Sequence, residues 1–146
     1  RGSGAWQRAP ALVDDMGPDC AGYFTLAHLK EAVDRDFLEA GRGVYDAHSG
    51  EGWQMAAVSR PRGRSFEEAK MLFSEVETAL AQGTVVLNSF GANAPALAQL
   101  CLGAAQGLGL PANLNLYCTA PGRAVSAPPH TDKQDVVLVQ TQGVKK

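Results

Sequence analysis

The chain has 146 residues, with 13 Lys and Arg against 15 Asp and Glu, a formal net charge of −2. That near balance argues against a general nucleic-acid or membrane-surface binder. With 45% hydrophobic and 19% charged residues, the composition is that of a globular domain with a core, and no apolar run approaches the ~20 residues of a membrane span.

Trp6 to Val13 (WQRAPALV) reads as an entry segment packing near the start of the domain. Thr25 to Ala40 is an expected helix: Thr25 is placed to cap it, Leu26, Leu29, Val33 and Phe37 recur at helical spacing, and Gly41 follows as a stop. Residues 41–64 are rich in Gly, Pro and polar residues and read as loop, with a short strand near Trp53 to Val58. Ser65 to Gln82 is the clearest helix. Ser65 and Glu68 have capping-box spacing, Phe66, Ala69, Leu72, Phe73, Val76 and Leu80 form one apolar face, and Gly83 ends it.

Thr84 to Leu87 is an expected short strand. Asn93 to Gly107 is a third expected helix, with Asn93 as its cap and Leu97, Leu100, Cys101, Ala104 and Leu108 on or near its buried side. Beyond Pro111 the period changes from helical to two. Leu114, Leu116 and Cys118 are set to face one way, and Asn115, Tyr117 and Thr119 the other. Pro121 to Pro129 is a loop, Asp135 to Gln140 a buried strand candidate, and Thr141 to Val144 a turn into another strand. Three cysteines, Cys20, Cys101 and Cys118, are too few and odd in number for a disulfide scaffold, which points to a reducing compartment.

The chemistry-bearing feature is His130-Thr131-Asp132, after two prolines and before a strand pattern. Prolines disfavour helix there, and in an extended chain positions i and i+2 share a face. His130 and Asp132 can then offer an imidazole nitrogen and a carboxylate oxygen to one ion, two of the three donors of a 2-His-1-carboxylate triad. A solvated turn or a structural hydrogen bond would use the same residues. His28, in an expected helix, and His48, in a polar loop, read as surface residues.

The stretch NLNLYCTAPGRAVSAPPHTDKQDVVLVQTQGVKK resembles the first half of the JmjC/cupin core of the ribosomal-oxygenase family. The resemblance rests on an Asn115-x-Tyr117-x-Thr119 strand, a Pro/Gly loop, Pro129-His130-x-Asp132, an aliphatic strand ending in Gln140, and Gly143-x-Lys145. Upstream, WQRAPALV is similar to the family's entry segment and YFTLAHLKEAV to the helix after it. Thr131 stands where an aromatic is often found, and Lys133-Gln134 where a more acidic pair is usual.

The resemblance implies an α+β fold in which helices flank the first strands of a double-stranded β-helix, the cupin or JmjC jelly roll. It implies a mainly helical flanking part over residues 1–83 and the first half of the core over 84–146. Because the sequence starts without methionine at Arg1 and stops at Lys146 beside a hairpin turn, it reads as an N-terminal fragment or a truncated gene model. The third metal ligand, a downstream histidine, is expected outside it.

The implied activity is that of an Fe(II)/2-oxoglutarate-dependent protein oxygenase. His130 and Asp132 would ligate iron. Lys145 would hold the distal carboxylate of 2-oxoglutarate, and Asn115 and Tyr117 would line the cosubstrate or substrate pocket; Gly143 is explained as a turn residue. The implied substrate is a ribosomal-protein histidine or a histone methyl-lysine, with no direct nucleic-acid or membrane partner. The full-length protein is expected in the nucleus, nucleolus or cytoplasm, with homodimerisation open to it. The fragment itself is expected to be inactive. Two rivals stand beside this reading: a catalytically silent cupin-like module that grips a peptide or dimerises, and a cupin holding another divalent metal without oxygenase activity.

Overall fold

The computed structural model describes residues 9–13, 20–35, 55–56, 71–122, 132 and 134–144. They fall into two compact units, one of Leu26–Pro128 and one of Arg1–Thr25 with Pro129–Lys146.

The larger unit begins with helix α1 (Leu26–Arg35). Its spacing of apolar residues buries Leu29, Ala32 and Val33, while Leu26 stays exposed. Lys30 pairs with Asp34 one turn on, and its ammonium lies 5.5 Å from the centre of the Phe73 ring. Phe73 opens helix α2 (Phe73–Gln82), against which α1 packs. Phe37 and residues 36–40 of the expected helix lie outside the described residues.

Helix α2 starts at Phe73, and the expected cap at Ser65 and Glu68, with Phe66 and Ala69, lies outside the described residues. At the observed start, the Glu75 carboxylate accepts the Leu72 N–H at 2.7 Å, which satisfies one donor of the first turn and sets a negative charge there. Leu72 is extended (φ −105, ψ 142), so it falls out of the helical period and is exposed. The buried face is instead Phe73, Val76 and Ala79.

Strand β2 (Thr84–Leu87) is buried along its whole length. It is the centre of a three-stranded sheet, paired in parallel with β1 (Met55–Ala56) and antiparallel with β3 (Leu116–Thr119). A strand covered on both edges and both faces needs a continuous apolar run, which Val85-Val86-Leu87 supplies. The parallel β1–α2–β2 connection is a crossover unit. It stands outside the antiparallel pattern of a jelly roll. The expected strand at Trp53 to Val58 is described only over Met55–Ala56.

After β2 comes a short 3-10 helix, Phe90–Asn93, and then helix α3 (Pro95–Leu108). Asn93 is therefore not the cap of α3. Pro95 holds Ala94 extended (φ −141, ψ 131) and occupies the first helical position, where its missing N–H costs nothing. Gly109, at φ 68, closes the helix by donating its N–H to the Ala105 carbonyl. Of the face expected to be buried, Leu97 is buried, Leu100, Cys101 and Ala104 are half-buried, and Leu108 is exposed.

In the second unit, the Gly22 N–H donates to the Thr141 carbonyl at 2.7 Å, and the Thr141 hydroxyl donates to the Phe24 carbonyl at 2.7 Å. These two bonds tie the segment before α1 to residue 141 of the C-terminal segment. Gly143 takes φ 75 in the bend at 142–143, a left-handed conformation that explains glycine there. Residues 135–140 form neither helix nor strand, and Val136, Val137, Leu138 and Val139 are exposed. The expectation of a buried strand is corrected: among the described residues no strand pairs with this run. Leu12 and Val13 of the entry segment are exposed as well.

Candidate functional site

Strand β3 and the two residues before it alternate as the sequence requires. Leu114, Leu116 and Cys118 are half-buried, while Asn115, Tyr117 and Thr119 are exposed. The register places Tyr117 opposite Val86 and Thr119 opposite Thr84. The two threonine hydroxyls lie 2.9 Å apart, and this bond satisfies Thr84, a buried polar side chain of the core.

Asn115 is held by a turn that follows β2. Ser89 sits at φ 54, ψ 33, the left-handed region, at a cost of roughly 1–2 kcal/mol for a non-glycine residue. Two asparagines offset that cost. The Ser89 N–H donates to Asn115 Oδ1 at 3.1 Å, and Asn113 Nδ2 donates to Ser89 Oγ at 3.1 Å. Asn113 Oδ1 accepts the Leu114 N–H at 2.9 Å, and the Phe90 N–H donates to the Leu114 carbonyl at 2.9 Å. The turn after β2 is thereby stitched to the segment that leads into β3. A Cβ on Gly91 would stand 2.7 Å from Cys101 Sγ and 3.2 Å from Leu114 Cβ, so a larger residue there would force its neighbours to shift.

Burial raises the Cys118 thiol from 9.0 to about 11. It is a protonated, apolar-facing group at neutral pH, unsuited to act as a nucleophile or a thiolate ligand. The three cysteines are all free of disulfides.

Of the residues expected to bind iron, Asp132 is exposed, and His130 lies outside the described residues, as do Lys145 and His48. Asp132 belongs to the unit of residues 1–25 and 129–146, and Asn115 and Tyr117 to the unit of 26–128. His28 is exposed on α1. Among the described residues no three His, Cys, Asp or Glu side chains converge as metal donors. The donor chemistry of the His130–Asp132 pair, one imidazole and one exposed carboxylate, suits a divalent transition metal as two of its ligands.

Ser89 and Asn113 carry structure around Asn115 that sequence reading missed. The signal was the Asn88-Ser89 pair between a strand and a glycine, a composition typical of tight turns. Comparison of the chain with models of known families, with curated proteins and with solved structures gave no match. Among the described residues no helix is long and apolar enough to cross a membrane.

Proposed function

We propose that this chain is part of an Fe(II)/2-oxoglutarate-dependent protein oxygenase of the JmjC, cupin-fold kind. The observation that carries the reading is a sequence of parts. Strand β3 displays Tyr117 and Thr119 on its exposed side, with Asn115 exposed just before it, and the sequence Pro129-His130-Thr131-Asp132 follows, with Asp132 exposed.

In this reading, the His130 imidazole and the Asp132 carboxylate hold the metal, and a histidine from elsewhere in the protein completes the set. The Lys145 ammonium neutralises the distal carboxylate of the cosubstrate, and Asn115 and Tyr117 orient it by hydrogen bonding. Bound iron and 2-oxoglutarate supply the oxidising power for hydroxylating a C–H bond. The protein's own share is to fix the donors, anchor the cosubstrate and exclude water. The substrate is a peptide of a ribosomal protein or a histone, hydroxylated at histidine or demethylated at lysine. The protein works in the nucleus, nucleolus or cytoplasm, with a second copy as a further partner.

The exposed run Val136–Val139 favours a second reading, a binding module that takes an extended peptide alongside residues 135–140. The two readings separate in a metal titration followed by NMR. Under the oxygenase reading, Mn(II), standing in for Fe(II), selectively broadens the amide signals beside Asp132. His130→Ala and Asp132→Ala each remove that broadening. Broadening that spreads evenly over the surface carboxylates, unchanged by both substitutions, contradicts it.

A further inference from the structure

The turn after β2 does more than connect strand to helix. Because the Ser89 N–H can only donate, the Asn115 atom facing it at 3.1 Å must be the carboxamide oxygen. The orientation of that carboxamide is therefore settled by the main chain of another segment. Its oxygen is engaged, and its NH2 group is the end left to interact outward from an exposed side chain. Ser89 holds the left-handed conformation that aims its N–H, and Asn113 braces Ser89 by donating to its hydroxyl.

We infer that Ser89 is a positioning residue that presets Asn115 as a hydrogen-bond donor to a carboxylate or keto oxygen of the bound ligand. This rests on the oxygenase reading, in which that ligand is 2-oxoglutarate. An asparagine without such a lock presents either end of its carboxamide. Against an oxyanion only the NH2 end is attractive, and the oxygen end repels. Fixing the orientation before binding removes the cost of choosing it afterwards. Tyr117, two residues along on the same exposed side, adds a second donor.

The test is a titration of the full chain with 2-oxoglutarate, following the Asn115 side-chain NH2 signals and the Ser89 amide by NMR. The NH2 signals move downfield on binding, and the Ser89 amide remains protected from exchange throughout. Ser89→Gly keeps the N–H and the left-handed conformation, loses only the Asn113 contact, and binds close to wild type. Ser89→Val, β-branched and disfavoured at positive φ, binds several-fold more weakly. Asn115→Asp keeps the acceptor for Ser89 but loses the donor. It melts at the wild-type temperature and binds about tenfold more weakly or worse, as loss of one hydrogen bond to a charged group implies. If Asn115→Asp binds as tightly as wild type, or folded Ser89→Val binds as tightly as Ser89→Gly, the inference is wrong. Shifts at Tyr117 with a silent Asn115 NH2 group also overturn it and leave the oxygenase reading standing. No response of any residue to 2-oxoglutarate, with or without Mn(II), removes both.

Discussion

Gly91 shows how tightly single residues are constrained around the candidate site. Its missing side chain is what lets the 3-10 helix approach Cys101 and Leu114, with the nearest atom 2.7 Å from the position of a Cβ. Gly91→Ala should destabilise the protein by about 1–3 kcal/mol through overpacking, read from the midpoint of urea unfolding. Adding Cys101→Ala should recover part of that loss, because the sulfur is the closer obstacle. Cys118 makes a pH prediction. Its thiol titrates near 9.0 when unfolded and at about 11 when folded. Between those values the folded state binds more protons than the unfolded one. Its contribution to stability is therefore full below pH 9.0 and is lost as pH rises toward 11. Cys118→Ala should flatten the fall in unfolding free energy over that range. An unchanged slope would show that the thiol is not the group responsible.

At the scale of elements, the helices and strands depend on a few buried positions. Leu29 and Leu26 lie on the same short helix, the first fully buried and the second 40% exposed. Leu29→Ala should cost ~2–5 kcal/mol and Leu26→Ala well under half of that, measured by denaturant unfolding. Equal costs would mean that α1 buries a different face. These positions were legible in the sequence because helical spacing is local: Leu29, Val33, Phe73 and Val76 all fall where the period puts them. The strand at Thr84–Leu87 and the alternation around Tyr117 were legible for the same reason. The start of α3 was misread because the restriction that Pro95 places on Ala94 outweighs the capping preference of Asn93. Leu72 departs from the expected face because the helix, expected from Ser65, has its observed start at Phe73, with Leu72 extended before it. The parallel pairing of β1 with β2, and the bonds from Ser89 to Asn113 and Asn115, were not legible. Both join segments far apart in sequence, and residue type alone does not specify such a partner.

At the scale of the whole molecule, the exposed run Val136–Val139 has a physical consequence. Hydrophobicity says which residues gain from burial, but not that a partner strand is present, and an exposed apolar run is a template for association. Leu138, at 84% exposure, contributes most to it. Leu138→Lys should leave the melting temperature unchanged while lowering the concentration-dependent light scattering of the chain. The candidate site was legible only as a pattern of residue types from Asn115 through Lys145, since the roles of its parts depend on a ligand set that local sequence does not enclose. The most direct test of the oxygenase reading is 2-oxoglutarate consumption with added Fe(II) and ascorbate. It compares this chain, a version extended through a downstream histidine, and that version carrying His130→Ala. The extended protein should consume 2-oxoglutarate, His130→Ala should abolish that consumption, and the chain alone should show none. Turnover by the chain alone that His130→Ala leaves intact would contradict the oxygenase reading.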